Sequence, residues 1–345
     1  MKLADLLGAA GPLASAIPGF SARAEQQQMA QAVADTFRDE AQLIVEAGTG
    51  TGKTFAYLAP ALLSGKRVVI STGTKNLQDQ LFHRDLPVVR DALKAGLRVA
   101  LLKGRANYLC LYRMKRAHGQ PSLRFLNDRL VAIEDWARST QTGELSELGQ
   151  FAEGDPLTRQ ITSSADNCLG AKCADFGACY VAKARRNAQQ AEITVINHHL
   201  LFSDFMLKDE GFGQILSGTE AVVVDEAHQL PELAAVFFGR RLSTRQMQEL
   251  CKDTIAAAQA LADIPQAVEA AEVLGAKSVA LDSVFAQGPQ RAKLADFMAL
   301  PAALPAVEGA RAALQDLLEL IKPFEERSAE LSSCVARAAE MQTRA

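Results

Sequence analysis

Apolar residues recur along the chain with two different periods, and the change between them divides it. From Ala22 to Phe37, Met29, Val33 and Phe37 stand four apart, which lays one stripe on a helix that begins near Ser21 as N-cap. Beyond it come short apolar runs that do not alternate: Leu43 to Glu46, Arg67 to Thr72, Arg98 to Lys103, Glu192 to Asn197 and Ala221 to Val224. Continuous, β-branched runs of this length predict parallel strands covered on both faces. Helical patterns lie between them, one burying Phe55, Leu58 and Leu62 and another from Lys75 to His83. Strands alternating with helices predict an α/β domain with a mainly parallel sheet, whose strands present their C-terminal ends to a ligand. Residues 1 to 21 form an entry segment of Gly, Pro and Ala without a clear period. From about Glu232 to Ala345 the pattern is helical and rich in Ala and Leu, with breaks near Ile264-Pro265, Gln287-Gly288-Pro289, Pro301 and Pro305. It reads as a separate all-α region, and no tandem repeat is evident.

The first apolar run enters a glycine-rich turn, Ala47-Gly48-Thr49-Gly50-Thr51-Gly52-Lys53-Thr54, and a helix follows. This order predicts a nucleotide-binding P-loop. Glycine frees the backbone to curl its N–H groups toward phosphate oxygens, and the helix start adds its positive dipole end. Lys53 would reach the β- and γ-phosphates, and Thr54 would hold Mg²⁺. Ala47 stands where the strict pattern has Gly, and a small residue still permits the turn.

An acidic pair, Asp225-Glu226, follows the buried run Ala221 to Val224. Beside a P-loop, that is what Mg²⁺-dependent ATP hydrolysis needs: Asp225 holding the metal through its water shell, Glu226 orienting or deprotonating the attacking water. The bland reading is a helix N-cap with first-turn acids.

Composition constrains the rest. At 345 residues with 48% hydrophobic content, the chain has material for two or three domains with real cores. A net charge of -3 provides no global basic field, so a nucleic-acid surface must be local. No apolar run of membrane-spanning length and no convincing signal peptide is present, which makes a cytoplasmic protein the expectation. Six cysteines are too few for a disulfide scaffold. Cys168, Cys173 and Cys179 lie close together, and Cys110 comes from a remote loop with the same basic, aromatic surroundings: Lys103, Arg105, Tyr108, Tyr112, Arg113, Lys115 and Arg116 there, Tyr180, Lys183, Arg185 and Arg186 here. Such a set can fold around one metal centre, since a ligand cage needs proximity in space and not in sequence. The wide spacing suits an iron-sulfur cluster better than zinc, with ordinary buried thiols as the third reading. Cys251 and Cys334 lie on helical patterns as core thiols.

Taken in order, the motifs resemble the XPD/DinG family of superfamily 2 iron-sulfur DNA helicases, in particular its bacterial DinG/YoaA branch. The matching segments are Arg23 to Met29 with Gln26, the P-loop at 47 to 54, STGTKNLQDQL at 71 to 81, KGRANYLC at 103 to 110, the three later cysteines, INHHLLF at 196 to 202 and VVVDEAHQLPE at 222 to 232. The resemblance covers roughly residues 17 to 235. It implies a RecA-like motor domain in two parts, 1–103 and 191–235, interrupted by an iron-sulfur domain at 104–190 and followed by a helical arch-like region at 236–345. It also implies adenine sensing by Gln26, a 4Fe-4S cluster on Cys110, Cys168, Cys173 and Cys179, and a link from His228 to the second motor domain or DNA. The implied activity is ATP-dependent 5′ to 3′ translocation on single-stranded and forked DNA in repair or replication. His198 and His199 read equally as core or surface histidines. The family's second RecA-like domain has no counterpart here, so the sequence predicts the N-terminal portion of a helicase or a truncated product. The rival expectation is a non-translocating module that binds ATP and single-stranded DNA.

Overall fold

The computed structural model describes residues 3–48, 50–118, 126–149, 155–165, 167–209, 217–239, 242–289 and 291–344. It divides into two compact units, one of residues 1–162 and 177–239, the other of 163–176 and 240–345. Among the described residues no helix is long and apolar enough to cross a membrane.

The first unit is built on four parallel strands, β1 (Val68–Thr72), β2 (Val99–Leu101), β3 (Ile193–Asn197) and β4 (Ala221–Val224), in the order β2-β3-β1-β4. Val68 is level with Ile193 on one side and Ala221 on the other, and Val99 is level with Ile193. Alternate residues supply two cores. Val68, Ile70, Ile193 and Val195 meet Ala30, Val33, Leu58 and Leu62 on one face, while Val69 and Ile196 meet Ala100, Ala188 and Leu201 on the other. Burial on both faces is why these runs do not alternate in sequence. Two helices cover the first face, α1 (Ala24–Asp39) and α2 (Lys53–Leu63). The N-cap of α1 is Arg23 rather than Ser21, and its side chain makes no cap hydrogen bond.

Helix α3 (Lys75–Gln80) does not stop near His83. It passes through a π turn at Leu81–Asp85 into α4 (Leu86–Leu93). Gln78 of α3 is buried, and its amide donates to the carbonyls of Leu102 at 2.8 Å and Val195 at 3.3 Å, the second of which also accepts the Leu102 N–H at 3.0 Å.

The run Leu43 to Glu46 forms no strand. Residues 41 to 48 carry no regular structure, and Ile44 is 98% exposed. The physical reason is pairing: strand order ends at β4, and no neighbour is hydrogen-bonded to this segment in the sheet.

In the second unit four long helices, α5 (Thr244–Leu261), α6 (Pro265–Ala286), α7 (Ala303–Ile321) and α8 (Ala329–Arg344), close on a core of Leu250, Leu274, Leu314, Leu317 and Leu331. Ser243 and Gln246 form a capping box at the start of α5. Pro265 opens α6 as predicted, but Pro305 sits in the first turn of α7, where the missing N–H costs no hydrogen bond. Cys251 and Cys334 are buried here, and burial pushes the Cys251 thiol up to about 12.

Candidate nucleotide site

The glycine-rich turn leads into α2 through backbone that only glycine adopts easily: Gly50 has φ +80° and Gly52, the N-cap of α2, φ +79°. The Lys53 ammonium donates to the Ala47 carbonyl at 2.9 Å, and the Thr51 hydroxyl donates to the Gly48 carbonyl at 2.9 Å, so the loop is closed on itself. Thr49 lies outside the described residues. Gln26 reaches in from α1. It is buried, and its amide donates to the Gly52 carbonyl at 3.0 Å.

The acidic pair follows β4 directly. The Asp225 N–H donates to the Ser71 carbonyl at 2.8 Å, which extends the ladder by one bond, and Glu226 then takes a left-handed conformation at φ 55°. Burial first, and then the neighbouring Glu226 charge, hold the Asp225 carboxyl above the usual range. A buried carboxylate in that condition is one a divalent cation would relieve, so the donor set of Asp225 and Thr54 fits Mg²⁺ by its chemistry. The His228 ring lies 3.4 Å from the Glu226 carboxylate and is mostly exposed.

Two neighbours of this site, Tyr57 and Gln229, escaped the sequence reading, and a third, His198, reads there equally as core or surface. The Tyr57 phenol, one turn after Lys53, donates to Asp225 Oδ2 at 3.3 Å, with the Thr54 hydroxyl as its other partner. Burial raises that phenol well above its ordinary range. The fourfold spacing of Lys53 and Tyr57 places them on one helix face and was the available signal. Gln229 packs so closely on Gly73 that a Cβ there would stand 2.4 Å from its amide oxygen. His198 is a core histidine: fully buried, with Nδ1 2.7 Å from the Ser71 hydroxyl. Burial lowers its basicity below the usual imidazole range.

Lys53, Ala47, Asp225, Glu226 and His228 line one cavity of about 1090 Å³, together with residues 40 to 46 and 220 to 224. Residues 23–118 match the DEAD/DEAH box helicase family. The chain carries a DEAD/DEAH-box helicase domain, and its relatives are of the YoaA/DinG group. It is 48% identical over 254 residues to the ATP-dependent DNA helicase YoaA of Haemophilus influenzae, an alignment of 73% of this chain and 40% of that protein. Against YoaA of Escherichia coli it is 42% identical over 342 residues, 97% of this chain and 53% of that protein. The ATP-dependent helicase DinG of Mycobacterium tuberculosis is 36% identical over 256 residues, 67% of this chain and 37% of that protein. The chain thus spans about half the length of these helicases, or less.

The basic, aromatic stretch around Lys103 and Tyr108 is less open than its composition suggests. Lys103 is 5% exposed, its ammonium 2.6 Å from Asp79 Oδ1 and 2.8 Å from Glu144 Oε2. Burial works against its charge, but the two carboxylates outweigh it and the net shift is upward. Tyr108 is 1% exposed, and its hydroxyl accepts the Lys103 N–H at 3.0 Å. Both are interior residues and present nothing to DNA. The Tyr180 hydroxyl donates to the Ala137 carbonyl at 2.8 Å, and its ring lies over Gly143, where a Cβ would stand 2.2 Å away. Arg116 lies over the Tyr112 ring at 5.6 Å.

The cysteines Cys110, Cys168, Cys173 and Cys179 are all half-buried, and none is in a disulfide. Cys110 and Cys179 belong to the first unit, Cys168 and Cys173 to the second. Among the described residues no three His, Cys, Asp or Glu side chains are gathered closely enough to hold a metal ion. The four thiols are suitable donors by type. Asp166, beside Cys168 in sequence, lies outside the described residues.

Proposed function

We propose that this chain is the N-terminal ATP-binding part of an ATP-dependent DNA helicase. The carrying observation is that Lys53 and Ala47 on one side and Asp225 and Glu226 on the other line one cavity. Phosphates would be cradled by the backbone N–H groups of Gly48 to Gly52, with Thr49 among them, while Lys53 exchanges the Ala47 carbonyl for phosphate oxygen. Thr54 and Asp225 would hold Mg²⁺, which supplies charge neutralisation on the β- and γ-oxygens. Glu226 would orient the attacking water. Gln26 fixes the loop from behind through Gly52, and adenine recognition would use the same side chain.

The partner that the relatives' names support is DNA. Translocation 5′ to 3′ on single-stranded and forked DNA, in repair or replication, is the finer reading, and it rests on the resemblance of the ordered motifs. So do the division at 1–103, 104–190, 191–235 and 236–345 and a 4Fe-4S cluster on Cys110, Cys168, Cys173 and Cys179, for which the half-buried thiols speak by type only. Iron and acid-labile sulfide in anaerobically purified protein, both lost on Cys168→Ser, test the cluster independently of activity.

The deciding experiment is ATP hydrolysis by the 345-residue chain with and without single-stranded DNA, with Lys53→Ala as the blank. DNA-stimulated turnover that vanishes in the variant is expected of a working motor domain. ATP bound by neither form would overturn the reading, and binding without turnover would favour the non-translocating module.

A further inference from the structure

The acidic pair sits on a turn that is costly to hold. Glu226 has φ 55° and ψ 42°, in the left-handed region that glycine adopts freely and Asn and Asp less readily. A glutamate stays there only where its surroundings over-determine it. The Asp225 N–H donates to the Ser71 carbonyl at 2.8 Å, the Glu226 N–H to Asp225 Oδ1 at 3.1 Å and the Gln229 N–H to the Glu226 carbonyl at 3.1 Å. The last two bonds lie within the turn, and the first ties it to the sheet. Beside the turn is a buried group that these bonds leave out. His198 opens the helix His198–Asp209 immediately after β3, where Asn197 Oδ1 accepts the Leu200 N–H at 2.9 Å. Its ring is fully buried, Nδ1 lies 2.7 Å from the Ser71 hydroxyl, and among the described residues Nε2 has no hydrogen-bond partner. A buried polar atom left unmatched costs stability, so its presence here calls for a physical reason. Ser71 is shared, its side chain meeting His198 and its carbonyl holding Asp225. The backbone of Asp225 and Glu226 also acts on the ring directly, favouring its protonated form against burial. With Nδ1 taken by Ser71, Nε2 is the atom left to meet that backbone.

We propose that His198 is a positioning residue for Asp225 and Glu226. In the neutral Nε2–H tautomer, Nδ1 accepts the Ser71 hydroxyl and Nε2–H is offered to the carbonyls of the Asp225-Glu226 turn, which holds Glu226 in its left-handed conformation. The opposite tautomer fails on donor count. Its Nδ1–H would donate to Ser71, and Nε2 would face carbonyls, acceptor against acceptor. The buried ring works through main chain, joining the ends of β3, β1 and β4, which carry His198, Ser71 and Asp225. Carboxylates held in this way meet a magnesium nucleotide without reorganising their backbone, and such preorganisation is a source of affinity. That consequence rests on the nucleotide reading, whereas the tautomer and the turn rest on the fold alone.

Nitrogen-15 NMR of the imidazoles in the full 345-residue chain, which has five histidines, tests the tautomer. The resonances lost in His198→Gln should be those of an Nε2–H ring, and Ser71→Ala should move the same resonances, which identifies them even where the Gln variant does not fold. An Nδ1–H ring overturns the proposal, because Nε2 would then have no proton to offer. Two variants separate the nitrogens: the amide nitrogen of Gln reaches the place of Nε2, while Asn puts its oxygen near Nδ1 and nothing near Nε2. Calorimetry with ADP, with and without Mg²⁺, reads the consequence. His198→Gln should keep the gain in affinity on adding Mg²⁺ to within about threefold, and His198→Asn should lose about tenfold of it, the scale of one buried hydrogen bond, with metal-free ADP bound as in the parent. Asn as good as Gln, or an equal loss with and without metal, assigns the ring to packing and overturns the proposal. Glycine takes the left-handed region freely, so in a Glu226→Gly background His198→Asn should shift the urea midpoint by less than half as much as in the parent. Equal shifts would mean that the ring does not hold the turn. Failure of ADP to bind, judged against Lys53→Ala, would sink the nucleotide reading and leave the tautomer and the Glu226→Gly comparison to decide the role of His198.

Discussion

The Gln26 amide nitrogen donates to the Gly52 carbonyl at 3.0 Å, and a Cβ on Gly52 would stand 2.1 Å from that same nitrogen. The contact leaves no room for a side chain at Gly52 while Gln26 keeps its place, and it ties α1 to the N-terminus of α2. Two variants separate its parts. Gln26→Ala removes one buried hydrogen bond and should cost about 1 kcal/mol of stability with a clear loss of nucleotide affinity. Gly52→Ala adds strain at φ +79° to the clash, so it should abolish nucleotide binding while unfolding in urea shows a loss of about 2 kcal/mol. Equal affinity in Gln26→Ala and the parent, by calorimetry, would remove Gln26 from the site.

Lys103 bridges Asp79 of α3 and Glu144, which itself pairs with Tyr108 in an isolated bridge. Lys103→Met leaves two carboxylates without their cation and should destabilise the first unit by about 3 kcal/mol, the low end for a broken buried pair because Asp79 is partly exposed. Adding Glu144→Gln to Lys103→Met removes the repulsion and should recover part of that loss. Urea unfolding of the single and double variants reads both steps. A single variant as stable as the parent would show that the triad does not tie these segments together.

Lys103 and Tyr108 also mark where local sequence misleads. Their neighbourhood of Arg, Lys and Tyr reads as a DNA-facing surface, but the carboxylates that neutralise Lys103 come from positions 24 residues before and 41 after it, and composition cannot register that pairing. The strands Val68–Thr72 and Ile193–Asn197 were legible because burial on both faces leaves a continuous apolar run, and Ala221–Val224 carries the same run although it is only partly buried. The run Leu43 to Glu46 carries the same signal and stays out of the sheet, because an apolar run records a strand's need for neighbours and not their presence. At the site, Lys53, Asp225 and Glu226 were marked by motif, whereas Tyr57 needed the fold to bring Asp225 to it from 168 residues away.

Glu192 precedes β3, and its carboxylate accepts the Arg98 backbone N–H at 2.7 Å and the Arg98 guanidinium at 2.7 Å, joining the starts of β2 and β3. The Arg98 side chain and backbone together hold this carboxyl at about 2, below its ordinary 4.5. A depressed carboxylate stabilises the fold above its unfolded value, and the contribution disappears as pH falls toward the folded one. The parent should therefore melt higher than Glu192→Gln at pH 7, and the difference should close between about pH 4.5 and 2. Melting temperatures of both proteins across that window check it, and a gap that persists at pH 2 would assign the stabilisation to something other than the charge.

Tyr57 offers a separation of fold from site. Its ring is 3% exposed within the core beneath α2, while its hydroxyl joins Thr54 to Asp225, the two residues expected to hold Mg²⁺. Tyr57→Phe keeps the ring, so stability should move by less than about 1 kcal/mol. The hydroxyl's bond to Asp225 is long at 3.3 Å, so its loss should weaken binding of the magnesium nucleotide by roughly three- to tenfold, about 1 kcal/mol, while metal-free nucleotide binds as before. Tyr57→Ala instead opens a cavity and should cost about 3–5 kcal/mol. Calorimetric titration with and without Mg²⁺ distinguishes these effects. If Tyr57→Phe weakens both forms of the nucleotide equally, the hydroxyl supports the loop and not the metal end of the site.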